Sequence, residues 1–197
     1  MKKLTREDLL SLEDYTEQRE SFRREVMEHR RERRVGVGPH VSLLFEDRKT
    51  ILYQAQEMLR AEKIFEKEGI EAELATYNPL IPDGKNLKAT MMIEYEDVAE
   101  RRAALKRLGG VEHKVWIASA GSDRCRAIAD EDLERSTGER TSAVHFLRFE
   151  PDRALREAFR NGGAIALGVD HANYHETLDP LPAELARQLS RDFDPES

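Results

Sequence analysis

The sequence predicts an α+β fold in which a largely antiparallel sheet of about four strands is covered by helices, with a long charged helix at the N-terminal end. Three observations lead there. Apolar residues recur with period two over 87–95 and 142–149, the spacing of strands with a buried face, and 114–118 and 164–170 also read as strands. Amphipathic segments without internal proline precede, separate and follow these runs. The strands 114–118 and 142–149 follow one another with no clear helix between them, and strand ends are poor in glycine, which argues against a doubly wound parallel sheet. At 197 residues the chain supports one core, so 1–197 reads as a single domain, with 1–35 a projecting helix and 36–197 the α+β core.

Thr5-Arg-Glu-Asp8 fits a capping box, and residues 5–34 contain no glycine or proline, so one helix is expected over that span. Leu12, Tyr15, Phe22 and Val26 recur at three- and four-residue spacing, but Arg19, His29 and Arg33 interrupt the stripe. At about 1.5 Å per residue the helix would be roughly 45 Å long, which points to dimerisation or docking on a protein partner. Its many arginines interleave with Glu20, Glu25, Glu28 and Glu32 at ion-pair spacing, the pattern of a solvated, self-paired face.

Gly36 and Gly38 end this helix, and 41–45 reads as a short strand. A second helix is expected over 47–68, capped by Asp47 and stopped by Gly69, with Ile51, Leu52, Ala55, Met58, Leu59 and Phe65 on its core face. Residues 70–76 fit either a helical turn or a strand. In the following loop Pro79 and Pro82 fix φ and Asp83-Gly84 is a turn pair, so the loop is held in one shape before the 87–95 strand. A helix over 97–108 closed by Gly109-Gly110 comes next, then the strand with the single Trp116. A polar excursion over 121–140, with a short helix near 130–135, leads to the 142–149 strand. Pro151 opens a short helix, 164–170 is a strand, and Asp179-Pro-Leu-Pro182 introduces a last helix to about Arg191.

With 32 Lys+Arg against 39 Asp+Glu the formal charge is −7, which disfavours a general nucleic-acid or anionic-membrane binder. Cys125 is the only cysteine, so no intramolecular disulfide and no cysteine-rich metal site is available. No run is apolar enough to span a bilayer and Met-Lys-Lys-Leu-Thr lacks a signal-peptide core, so the cytoplasm is the expected compartment.

The runs at 38–50 (Gly-Pro-His-Val-Ser-Leu-Leu-Phe-Glu-Asp-Arg-Lys-Thr), 54–62, 77–83 (Tyr-Asn-Pro-Leu-Ile-Pro-Asp) and 142–149 (Ser-Ala-Val-His-Phe-Leu-Arg-Phe) resemble a bacterial family of proteins of about this length, known only as a domain of unknown function. The resemblance spans nearly the whole chain. It implies a single family unit with no assigned activity, and it places relatives beside rubrerythrin-like and iron–sulfur redox proteins.

Four sets of residues are candidates for function. Asn78, Asp83, Lys85 and Asn86 in the constrained loop, with His40, form a polar ligand-binding cluster, unless the first two only cap turns and Lys85 is solvated. His171 and His175 are four apart, with Asp170 and Glu176 beside them and His145 on another strand, so His145, Asp170, His171 and His175 are the metal-ligand set, for a divalent metal as cofactor. Taken alone, His145 alternates with Leu147 and Phe149 as a core histidine would. Cys125 sits between Arg124 and Arg126, which would favour its thiolate, but with no resolving cysteine and no Cys–His motif its ordinary reading is a tolerated single thiol. Glu94, Tyr95, His145 and Asp170 would serve acid–base chemistry if their strands were adjacent.

No specific catalytic motif is present. The leading expectation is therefore a non-enzymatic accessory or partner-binding protein with a redox association. The alternative is a metal-binding protein or small metal-dependent enzyme using the histidine cluster. A third expectation is an anion or nucleotide held at Gly36–His40 with help from Lys85.

Overall fold

The structure, a computed structural model, describes residues 1–131, 135 and 140–194. Among these residues the fold is α+β, with six α-helices and two antiparallel sheets covered by helices. Strands β1 (Arg34–Val37), β2 (Val41–Glu46), β3 (Leu87–Ile93), β6 (Ile128–Ala129) and β7 (Val144–Phe149) form a five-stranded sheet in the order β1-β2-β3-β7-β6. Strands β4 (Val115–Ser119), β5 (Cys125–Arg126), β8 (Ile165–His171) and β9 (Tyr174–Leu178) form a second sheet in the order β5-β4-β8-β9. The expected runs are all strands, and β1, β5, β6 and β9 are additional.

The two sheets share one core. Leu43, Phe45, Met91, Leu147 and Phe149 from the first meet Val115, Ile117, Leu167 and Val169 from the second in one buried cluster. Helices α5 (Arg153–Arg160) and α6 (Ala183–Ser190) add Leu155, Phe159, Leu185 and Leu189 to it, and α4 (Val98–Arg107) adds Ala104. Two ties bind the sheets at opposite margins. On one side the chain crosses between them: β5 pairs with β4, β6 pairs with β7, and buried Ala127 between them donates its N–H to Val115 O at 2.9 Å. On the other, Tyr174 of β9 sends its hydroxyl to the β1–β2 turn, accepting from His40 N and Val41 N (both 3.1 Å) and donating to Val37 O (2.6 Å). In that turn Gly38 has φ +72°, and a Cβ there would lie 2.7 Å from the Tyr174 oxygen.

The N-terminal segment is not one helix. Thr5 and Asp8 close a single 3₁₀ turn over Arg6–Asp8, and α1 (Leu12–Glu32) starts afresh at Ser11, whose side chain accepts from Asp14 N. The helix α1 lies along α2 (Arg48–Ala61), with Tyr15 and Val26 buried and Phe22 set edge-on between Tyr15 and Tyr53. The charges that interrupt its apolar stripe are inter-element partners: Arg19 bonds Glu57, His29 bonds Asp47, and buried Arg33 bonds Asp192 near the C-terminal end of the chain. These ion pairs replace apolar contacts at the same helical spacing.

Helix α2 stops at Ala61, before the expected Gly69. Lys63 takes φ +54° and the N–H groups of Lys63 and Ile64 return to Arg60 O and Leu59 O, a Schellman ending made with lysine in place of glycine. Gly69 lies inside the next helix, α3 (Lys67–Tyr77), and Phe65, expected in the core, is 69% exposed. The short helix expected near 130–135 falls partly outside the described residues. Among the described residues no helix is long and apolar enough to cross a membrane.

Candidate metal centre

Alternation along β7 turns His145, Leu147 and Phe149 inward, so His145 is a core residue with no exposed surface. Its ring is nevertheless surrounded by polar groups. Nδ1 lies 2.5 Å from Asp130 Oδ2. Asp130 ends the crossing segment in a left-handed conformation (φ +49°), where its N–H bonds Phe146 O and its Oδ1 accepts from Phe146 N at 3.0 Å. A left-handed non-glycine residue is held only where its surroundings over-determine it. The Arg135 guanidinium lies 3.3 Å from the Asp130 carboxylate and 4.6 Å above the Phe146 ring.

On the other side of the ring, Nε2 faces Thr141 Oγ1 at 2.7 Å, Ser142 O at 3.1 Å and Glu112 Oε2 at 3.8 Å. Glu112 comes from the 3₁₀ turn Val111–Lys114, and both it and Thr141 are 2% exposed. The Thr141 hydroxyl is also 3.1 Å from Glu112 Oε2, to which it donates. Among the described residues, Glu112, Asp130 and His145 are the one group of His, Cys, Asp or Glu whose ligand atoms all lie within 4.8 Å of one another.

The donor count around this ring is informative. A carboxylate at Nδ1 requires a proton on that nitrogen, and a backbone carbonyl at Nε2 can only accept. Thr141 has one proton, which it gives to Glu112. The Thr141 hydroxyl, the Ser142 carbonyl and one Glu112 carboxylate oxygen thus surround the Nε2 side of the ring, a set of oxygens that could hold a cation together with the imidazole nitrogen.

The other residues expected to join His145 lie elsewhere. β8 and β9 form a hairpin in which Asp170 pairs with His175 and His171 with Tyr174, so the two histidines sit across a turn and not along one face. His171 accepts from Asn173 N through Nδ1 and therefore donates to Gly109 O through Nε2, which leaves it no lone pair for a metal. Asp170 pairs with Arg124, and His175 Nδ1 stands 3.5 Å from its other oxygen on an exposed surface.

The loop cluster is local architecture. Asn78 exchanges two hydrogen bonds with the backbone of Leu4. Asp83 Oδ1 accepts from Lys85 N and Asn86 N, Asn86 Oδ1 accepts from Asp83 N, and the Lys85 side chain is exposed. His40 stacks on Tyr95 with ring centroids 3.8 Å apart, at the rim of an open hollow of about 820 Å³. Its N–H and that of Val41, the groups an anion would need at Gly36–His40, are both taken by Tyr174. Glu94 is bound by Ser42 and Arg34, which hold its carboxyl below the usual carboxylate range, and neither it nor Tyr95 bonds His145 or Asp170. Cys125 is not activated by its arginine neighbours: burial pushes its thiol up to about 11, and Arg124 covers Trp116 at 3.9 Å.

Of the residues in the buried group, sequence patterning pointed only to His145. Glu112 and Asp130 lie in a turn and a polar segment with no periodicity, and Thr141 four residues before His145 is the one local hint.

Fold and centre together define a two-sheet α+β protein with a histidine–carboxylate group enclosed in its core. The chain belongs to the family described as "Protein of unknown function (DUF3501)", whose model matches residues 3–193, in keeping with the resemblance drawn from the sequence. It is similar to a crystal structure of a novel protein of unknown function from Burkholderia pseudomallei K96243, at 47% identity, with 98% of this chain and 100% of that chain covered and a TM-score of 0.92. No curated protein matches.

Proposed function

We propose that the chain is a metal-binding protein that holds a divalent cation at His145 Nε2, with Glu112, Thr141 and the Ser142 carbonyl as oxygen donors. The observation that carries this reading is the acceptor-only Ser142 carbonyl facing Nε2 of the buried His145 at 3.1 Å, with the buried Glu112 carboxylate beside it. Asp130 behind the ring matches the carboxylate–histidine pairing that fixes the tautomer and orientation of metal-binding imidazoles. One imidazole with oxygen donors suits iron(II), manganese or zinc better than a thiophilic ion. An iron occupant would agree with the redox association. The test is metal content by mass spectrometry of untagged protein, with His145→Gln and Glu112→Gln alongside. Stoichiometric metal, lost in both variants, is expected. Folded wild type that stays metal-free after incubation with each of the three ions would overturn the reading.

A second reading, contact with a protein partner, is favoured by Phe65, 69% exposed at the rim of an apolar hollow that includes Leu9, Leu10, Leu59, Ile64 and Ile70. The occupant to test is a second copy of this chain. Light scattering over a concentration series should show a dimer that Phe65→Ser dissociates, and a monomer at every concentration would count against it.

A further inference from the structure

A separate hollow of about 300 Å³ lies on the outer face of the five-stranded sheet, the side opposite to that into which His145 points. Pro79, Leu80 and Phe146 supply its apolar walls, and its polar groups are Glu46, Glu131, Lys88 and Arg148. Three of these four are occupied. Arg148 makes two bonds to Glu131, at 2.7 and 2.6 Å, and one to Glu150. Buried Glu46 accepts from the Thr90 hydroxyl on one oxygen, and from the Thr50 hydroxyl and the Gln54 amide on the other. Lys88 differs. It is half-buried, and its ammonium has no hydrogen-bond or ion-pair partner among the described residues. Loss of water around it, and then the charge of Arg148, lower its pKa. Glu131, Asp83 and Glu150 pull the other way from a distance, but none of them hydrogen-bonds the ammonium, which leaves its donors open to a bound anion.

We infer that this hollow binds a small organic monocarboxylate with an aromatic or branched apolar body, its carboxylate on Lys88 and its body against Phe146, Leu80 and Pro79. The volume stands at the lower end of small-molecule sites, which run from about 300 to 1,000 Å³, so the ligand is small. A single available cation with the Glu46 and Glu131 carboxylates on the same lining admits one negative charge and disfavours phosphates and dicarboxylates. The inference does not rest on the metal reading: the Phe146 backbone bonds Asp130, but Lys88, Leu80 and Pro79 make no bond to His145, Glu112 or Asp130.

The test uses benzoate and its neutral isostere benzamide, titrated into the full chain and followed by backbone amide chemical shifts. Benzoate should shift the Leu80, Lys88 and Phe146 amides saturably, and benzamide should bind about tenfold more weakly or worse. Lys88→Met, which keeps the stem and removes the charge, should erase that preference. Equal binding of the two compounds to wild type, a preference that survives in Lys88→Met, or no saturable shift at these amides up to about 10 mM would each overturn the proposal. The comparison of two ligands on wild type stands even if the variant does not fold.

Discussion

Replacing Tyr174 by phenylalanine removes one oxygen atom from the structure and leaves the apolar burial of the ring in place. That oxygen accepts from His40 N and Val41 N and donates to Val37 O. The Val41 and Val37 bonds are buried, and the His40 N–H, being only partly buried, can turn to water. Each buried backbone group left unpaired costs about 1–3 kcal/mol, so Tyr174→Phe should destabilise the fold by about 3 kcal/mol. For a chain of this length that corresponds to a fall in melting temperature of roughly 6–12 °C. Urea unfolding should give a lower midpoint with an unchanged slope, since the surface exposed on unfolding is the same. Amide exchange at Val41 should quicken by about a hundredfold, the same free energy read locally. A loss below about 0.5 kcal/mol, or a loss without faster exchange at Val41, would refute the idea that this hydroxyl ties the β1–β2 turn to β9.

Other perturbations test separate links. A Cβ on Gly168 would collide with Trp116 Cζ2, and that indole is also packed against the Arg124 guanidinium, so Gly168→Ala should cost about 1–3 kcal/mol and shift the emission of the single tryptophan. Burial, outweighing the attraction of Arg33, pushes the Asp192 carboxyl up from its ordinary 3.8 to about 6. A carboxyl raised on folding stabilises most below its unfolded value and loses that contribution as pH rises through 6. Wild type should therefore lose about 3 kcal/mol relative to Asp192→Asn between pH 4 and 7, and a flat or rising difference would refute the assignment. With its thiol pushed up to about 11, Cys125 should react with iodoacetamide at pH 8 about a hundredfold more slowly than an unhindered cysteine, and ordinary alkylation rates would contradict its burial.

The elements that the sequence announced are those whose signals are local. Asp47 and Asp97 cap α2 and α4 as their positions suggest, and β3 and β7 alternate because each has one face in the core. What escaped depends on distant partners. Arg34-Val-Gly-Val becomes a strand only because β2 lies beside it, and Tyr-His-Glu-Thr-Leu of β9 is polar enough to hide its pairing with β8. The early end of α2 rests on a lysine in a left-handed conformation that lysine seldom adopts. For the centre, the alternation on β7 singled out His145, whereas the approach of Asp130 requires the crossing between sheets and that of Glu112 a turn before β4.

The crossing at Ala127 also sets a clock. Asp130 follows that segment directly and backs the Nδ1 side of the ring, and His145, Glu112 and Thr141 have almost no exposed surface, so an ion at the proposed Nε2 site would enter only as this part of the core opens. Entry and exit would then proceed at the opening rate of the protein, independent of how much metal is outside once that rate limits. Occupancy would be decided chiefly while the chain folds, and afterwards kept.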